Sequence, residues 1–350
     1  MLSVDELYMQ RCLQLARCGA GSTSPNPMVG AVIVCDGRII GEGYHIRAGE
    51  PHAEVNAVNS VSEKDLPLLA HSTMYVSLEP CSHYGKTPPC CDMIIARGIP
   101  RVVVGSTDPN SSVNGAGIER MRAAGIDVTV GVLEEECSRL NRAFFTSQVK
   151  KRPYVTLKWA QSSDGFIDLL RDSGSAAKIS SSVSQVAVHK LRSQNDAILV
   201  GRHTALLDNP SLNIRHWAGR SPLRLVIDKA GSLPSDLKIF DGSLPTVVYT
   251  AFEKEDKFGK NIEQVVLDFE LPLLPQILLH LHEMKINSLL VEGGATVLQS
   301  FIDAGLWDEI RVEVNPSLEL HDGVVAPSFP QESPASRELL SGNEILRFYM

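Results

Sequence analysis

Beyond residue 137 the chain has no cysteine. All seven (Cys12, Cys18, Cys35, Cys81, Cys90, Cys91 and Cys137) fall in the first part of its 350 residues. A disulfide framework is not expected in an unsecreted protein of this size, and the skew assigns thiol chemistry to a first unit. Positive charge is also short: 33 Lys and Arg against 41 Asp and Glu give a formal net charge of −8. That balance argues against a nucleic-acid partner, which needs a basic surface to neutralise phosphate. No run of about 18 apolar residues occurs, so nothing is expected to span a membrane. The opening MLSVDELYMQ lacks a basic stretch followed by an apolar core, so no secretory signal is expected and cytoplasm is the default. Internal repeats and low-complexity tracts are missing too. The remainder is an ordinary globular composition, 43% hydrophobic and 21% charged, in a chain long enough for two domains.

Against this background the segments Pro51-His52-Ala53-Glu54 and Pro80-Cys81…Pro89-Cys90 stand out. They supply one imidazole, two thiols and a carboxylate. Three such ligands are what a catalytic zinc takes when its fourth position is left to water. The carboxylate two residues after the histidine is then placed to move that water's protons, as in zinc-dependent nucleobase deaminases. The competing readings are a closed structural zinc, with Cys91 as the spare fourth ligand, and a buried histidine beside two inert core thiols; the structural site leaves Glu54 without a task. The predicted helix N-termini at His52 and Cys90 favour thiolate formation and metal binding. Eight residues, SHYGKTPP, separate Cys81 from Cys90 where Cys-x-x-Cys is the common form. His83 and Lys86 in that insert are either solvated loop residues or contacts to a phosphate or ring edge.

Ser3 and Glu6 have the spacing of a capping box before a helix reaching about Ala16. Ala31–Cys35 and Arg38–Gly41 flank Asp36-Gly37, a strong hairpin signal. A helix is expected from His52 and a strand over Thr73–Leu78. Strands RVVVG and DVTVG then alternate with helices around CDMIIARG, GIERMRAAG and LEEECSRLNRAFF, which implies a three-layer α/β unit. Residues 147–153, SQVKKRP, read as a linker. A second α/β unit follows, with strands at YVTLKWAQ, 197–201, 223–228, 246–250, 288–294 and 309–314. Its chemistry is less legible. Gly293-Gly294 in VEGG is a tight turn or a phosphate-facing loop, and the stretch is not G-x-G-x-x-G. Lys158, Arg192 and Arg215 read singly as surface charges.

HAE with PCSHYGKTPPC, preceded by TSPNPMVG and followed by STDPNSSVNGAG, resembles the deaminase half of the bacterial riboflavin-biosynthesis bifunctional deaminase/reductase family. PYVTLKWAQSSDG, VHKLR, AILVG with TALLDNPSLNIR, and VEGG resemble its reductase half. The resemblance implies a cytidine-deaminase-like domain over 1–146, the linker 147–153, and a dihydrofolate-reductase-like domain over 154–350. It implies zinc ligands His52, Cys81 and Cys90, one zinc per chain, and Glu54 as proton shuttle. Asn26, His45, His83, Lys86, Asp108 and Asn110 are the implied deaminase substrate contacts. Lys158, Ser180, Arg192, Asp208, Arg215 and Glu292 are the implied reductase substrate residues. Ala160, Thr204, Gly293 and Gly294 are implied to meet NADPH. The implied partner is a phosphoribosylated diaminopyrimidine, with no nucleic acid or membrane; a homo-oligomer is left open.

Three positions depart from the family pattern. Ala176-Ala177-Lys178-Ile179-Ser180 stands where many members read S-x-W-I-T, so a tryptophan lining the site is missing. Phe166 replaces a basic residue after Asp164-Gly165, and SSVSQV lacks a common Ala-Arg pair. An active reductase with altered cofactor packing is expected; a C-terminal unit that is only structural or oligomerising is the alternative. An RNA-editing deaminase is disfavoured by the acidic balance.

Overall fold

In the computed structural model Ser3 Oγ accepts the Glu6 N–H at 3.2 Å, while Glu6 Oε2 accepts the Ser3 N–H at 2.7 Å. The expected capping box thus opens α1 (Val4–Arg17). The structure describes residues 2–84, 88–109, 115–254, 258–330 and 333–350. They form two units, Met1–Lys151 and Arg152–Met350.

In the first unit β1 (Gly30–Cys35) and β2 (Arg38–Tyr44) are joined at Asp36-Gly37. Both turn residues have positive φ, 48° and 75°, as a two-residue hairpin of this twist requires. Then come α2 (Ala53–Asn59), β3 (Thr73–Leu78), α3 (Cys90–Ala96), β4 (Arg101–Ser106), α4 (Ala116–Ala123), β5 (Asp127–Val130), α5 (Glu134–Leu140) and α6 (Arg142–Lys150). The sheet runs β2-β1-β3-β4-β5, antiparallel on both sides of β1 and parallel from β3 to β5.

Alternate strand residues feed two cores. Ile33, Met74, Val76, Val102 and Val104 pack with Ala57 of α2, Ile94 of α3 and Met121 of α4. Val32, Val34, Tyr75 and Val103 pack with Met9 and Leu13 of α1 and Cys137 of α5. Helices therefore cover both faces, giving the three layers expected. Gly43 lets α2 lie directly on β2: a Cβ there would sit 2.3 Å from Ala57 N.

The stretch LEEECSRLNRAFF is not one helix. Asn141, between α5 and α6, has φ −103° and ψ 18°. Its side-chain oxygen accepts the Met28 N–H at 2.8 Å and its amide donates to Met28 O at 2.9 Å, so the break serves the 21–30 loop. Residues 147–150, read as linker, complete the last turn of α6.

The second unit contains β6 (Tyr154–Ser162), β7 (Phe166–Asp168), α7 (Ser182–Ser193), β8 (Ala197–Gly201), α8 (Arg202–Asp208), β9 (Leu223–Ile227), β10 (Thr246–Thr250), β11 (Ile262–Val266), α9 (Leu273–Glu283), β12 (Ser288–Val291), α10 (Ala295–Asp303), β13 (Glu309–Asn315), β14 (Val324–Val325), β15 (Ser336–Leu340) and β16 (Asn343–Tyr349). Its nine-stranded sheet runs β11-β10-β9-β8-β12-β6-β13-β16-β15. The strands from β11 to β13 are parallel, and β16 and β15 close the edge antiparallel. The central strands are apolar on both faces, as a covered parallel sheet demands. Leu199, Leu225 and Val291 pack with Ile277 and Phe301; Val200, Val226 and Leu290 pack with Leu233 and Ile239. Among the described residues no helix is long and apolar enough to cross a membrane.

Candidate functional site

His52 is the N-cap of α2 in extended conformation, which leaves its ring ahead of the helix and puts Glu54 in the first turn. Cys81 follows the end of β3, and Cys90 is the first residue of α3, after Pro89. Three separate elements thus deliver His52 Nδ1 to 3.6 Å from Cys81 Sγ and 3.4 Å from Cys90 Sγ. All three ligand atoms lie within 4.8 Å of one another. A tetrahedral zinc with Zn–S of about 2.3 Å and Zn–N of about 2.0 Å sets N···S separations of roughly 3.5 Å. The donor set therefore fits zinc in type and in spacing, with one position left for a small molecule. Cys91 is fully buried and is not part of the cluster.

The electrostatics suit a metal site. Cys81 is held well below an ordinary thiol by the hydrogen bond from the Cys90 thiol, and Cys90 is correspondingly pushed up. The Cys90 backbone N–H also donates to Cys81 Sγ, at 3.3 Å. Glu54 is 3% exposed, and burial pushes its carboxyl up to about 7. A carboxyl in that range gives and takes protons at neutral pH.

Asn26 and His45 join this site. His45 Nδ1 donates to Pro51 O at 3.1 Å, which leaves Nε2 to accept from Asn26 Nδ2 at 3.1 Å. Burial pushes the His45 imidazole below its ordinary value, and its ring meets that of His52 edge-on, with centroids 5.5 Å apart. His83 is exposed and Asp108 half-buried. Lys86 and Asn110 lie outside the described residues.

Sequence reasoning missed Glu79. This buried carboxylate follows β3 and accepts backbone N–H groups from Asp108 (3.3 Å), Gly115 (3.0 Å), Gly117 (3.0 Å) and Ile118 (3.4 Å). It ties the strand end leading to Cys81 to the Asp108 segment and the start of α4. An acidic residue directly before Pro-Cys, at the end of an apolar strand, was the available signal. Asn141, a poor helix former inside a helical pattern, was another.

In the second unit a cleft of about 1470 Å³ lies beyond the carboxyl ends of the parallel strands, where open α/β sheets bind ligands. Lys158, Ala160, Ser180, Thr204, Asp208, Glu292 and Gly294 line it, together with Lys178. Gly294 has φ 58°, and a Cβ there would meet Thr204 Oγ1 at 3.0 Å, so bare backbone faces the cleft. Arg192, Arg215 and Gly293 do not line it. Arg192 donates to both carboxylate oxygens of Glu292 and, at 3.3 Å, to Asn213 O. Gly293 packs against β8, its Cβ position 2.6 Å from Val200 Cα. Arg215 is exposed; its N–H donates to His189 Nδ1 at 3.1 Å and its guanidinium to Asn213 Oδ1 at 2.5 Å. Asp208 lines the cleft but is paired with Arg171, which also binds Asp168. Burial pushes the Lys158 ammonium down, against the opposing charges of Glu292 and Glu313. Phe166 opens β7, paired with Val325.

Two family models match the chain. The cytidine and deoxycytidylate deaminase zinc-binding region covers residues 2–106, and the RibD C-terminal domain covers residues 153–319. The riboflavin biosynthesis protein RibD of Aquifex aeolicus is 43% identical over 321 residues, 90% of this chain and 88% of that protein. That of Escherichia coli is 39% identical over 330 residues, again 90% of this chain and 88% of that protein. The solved structure of a diaminohydroxyphosphoribosylaminopyrimidine deaminase/5-amino-6-(5-phosphoribosylamino)uracil reductase from Thermotoga maritima superposes with a TM-score of 0.89 at 37% identity. The match covers 99% of this chain and 98% of that one. With a zinc-type ligand set in a cytidine-deaminase-like unit, a reductase unit after it, and relatives matched over almost their whole length, the chain belongs to the RibD family of bifunctional deaminase/reductases of riboflavin biosynthesis.

Proposed function

We propose that the first unit hydrolytically deaminates 2,5-diamino-6-(5-phosphoribosylamino)pyrimidin-4(3H)-one, and that the second reduces the ribosyl side chain of the product to ribityl with NADPH. A cytoplasmic location, and NADPH rather than NADH as hydride source, belong to the same proposal. The observation carrying the first step is the His52–Cys81–Cys90 cluster with Glu54 buried beside it. When bound there, zinc acidifies a water from about 16 to about 7 and so supplies a nucleophile at neutral pH. His52, Cys81 and Cys90 would hold the metal. Glu54 takes a proton from the attacking water and hands one to the departing amine, a task that suits its raised pKa. Asn26 and His45, hydrogen-bonded to each other, present fixed polar edges to the pyrimidine, and Asp108, whose backbone N–H is held by Glu79, contacts the same substrate.

The second step rests on the cleft. Its size admits a dinucleotide beside a sugar phosphate, and Gly294, Thr204 and Ala160 leave room for close approach of a cofactor. When bound, the reduced nicotinamide supplies the hydride. Lys158 offers the substrate a half-buried amine, and the charges of Glu292, fixed by Arg192, and of Glu313 oppose the loss of its proton that burial favours. Substituting Glu54→Gln tests the first step. The variant should keep its zinc and release no ammonia; substantial residual turnover contradicts the assignment.

A further inference from the structure

Glu313 has no role in the scheme above. It sits on β13 opposite Ala160 of β6 and is 2% exposed. Ser180 Oγ donates to its Oε2 at 2.7 Å and Asn343 Nδ2 to its Oε1 at 2.6 Å, with Ser184 donating as well. The preceding carbonyl, Ile179 O, accepts from Asn315 Nδ2 at 2.9 Å and from Asn343 Nδ2 at 3.3 Å. Residues of β13 and β16 thus hold the Ile179–Ser180 segment by main chain and side chain, next to Lys178, where the tryptophan of the family pattern is missing. Burial pushes the Glu313 carboxyl up, but the hydrogen bonds from Ser184, Asn343 and Ser180 and the charge of Lys158 outweigh it. Glu313 is therefore ionised at neutral pH and can only accept.

A serine hydroxyl has one proton and two lone pairs. With the proton committed to Glu313, Ser180 Oγ can only accept from a ligand in the cleft. We propose that Glu313 is a positioning residue of the reductase cleft, setting Ser180 as an acceptor for a hydrogen-bond donor of the substrate, a ribose or ribityl hydroxyl or a ring N–H, and not for its phosphate. This rests on the reductase reading. In a Glu313→Gln variant the amide can donate to Ser180 Oγ, which occupies one lone pair and frees the hydroxyl proton to point into the cleft, so Ser180 no longer presents acceptors alone.

The test uses the full-length, zinc-loaded enzyme with the deaminated substrate and NADPH. Glu313→Gln and Ser180→Ala should each raise the substrate KM about 10-fold, the worth of one hydrogen bond, with kcat changed less. The double variant should be no worse than the poorer single one. Inhibition by inorganic phosphate should be the same in all forms, and ammonia release by the first unit should be unchanged. An unchanged KM, additive losses, or a fall in kcat that merely follows a lowered melting temperature overturns the proposal. A wild-type enzyme that consumes no NADPH overturns the reductase reading instead, and that result is visible before any variant is compared.

Discussion

Arg192 donates from Nε and Nη2 to the two carboxylate oxygens of Glu292, at 3.0 and 2.6 Å. Both side chains are largely buried, and Glu292 lines the cleft while Arg192 does not. Arg192 therefore fixes the orientation of a cleft-lining carboxylate and holds its carboxyl below the ordinary value despite burial. Removing the arginine leaves the buried Glu292 carboxylate without its hydrogen-bonded partner and with the Lys158 charge opposite it, whereas removing both partners leaves no such carboxylate. Arg192→Ala should destabilise the second unit by about 3 kcal/mol, and Arg192→Ala with Glu292→Leu by clearly less. Denaturant unfolding of the two variants checks this; equal losses would contradict it.

The proposed zinc site makes Cys90 and Cys91 inequivalent neighbours. Cys90 Sγ faces His52 Nδ1 at 3.4 Å, while Cys91 is fully buried and outside the cluster. Elemental analysis should find about one zinc per chain in wild type and in Cys91→Ser, and a large loss in Cys90→Ser. Zinc lost equally from both variants would revive the four-ligand structural site.

Gly117 packs against the segment that carries Cys81. A Cβ there would lie 2.3 Å from Pro80 O, and the Gly117 N–H donates to Glu79. Backbone cannot yield as a side-chain tip would, so Gly117→Ala should cost about 1–3 kcal/mol. Because Pro80 adjoins Cys81 of the proposed zinc site, ammonia release should fall with it, while NADPH consumption by the second unit continues. Thermal unfolding and both assays on one preparation decide the point.

His189 should give the second unit an acid limb. Burial, then the charges of Arg192, Arg215 and His216, bring it from 6.5 down to about 4. Between those values the unfolded chain takes up a proton that the folded chain refuses. Stability is thus full above 6.5 and drains as pH falls toward 4, by at most about 1.4 kcal/mol per pH unit. Protonation also puts a donor where Nδ1 now accepts the Arg215 N–H. His189→Gln should flatten this limb in pH-dependent melting; an unchanged slope would refute the assignment.

Much of the first unit was legible because its signals are local. A capping box, an Asp-Gly turn and ligands at helix starts each need only a few neighbouring residues. The His52–Cys81–Cys90 set was likewise written in spacing and residue type. The clamps were not: Glu79 binds groups up to 39 residues away, and Glu313 meets Ser180 from 133 residues away, separations that no periodicity encodes. The same holds for Arg192, which read singly as a surface charge and whose buried partner Glu292 lies 100 residues away. The edge strand β15 (SRELL) is largely exposed and carries charges on consecutive residues, so no alternation of apolar residues announced it.

The central claim is that one chain carries out both steps in order. With zinc-loaded full-length protein, the diamino substrate and NADPH, the account predicts ammonia release followed by loss of reduced-nicotinamide absorbance. In Glu54→Gln both signals should vanish, and adding the deaminated intermediate should restore the second alone. NADPH left unconsumed by wild-type enzyme supplied with that intermediate would contradict the account.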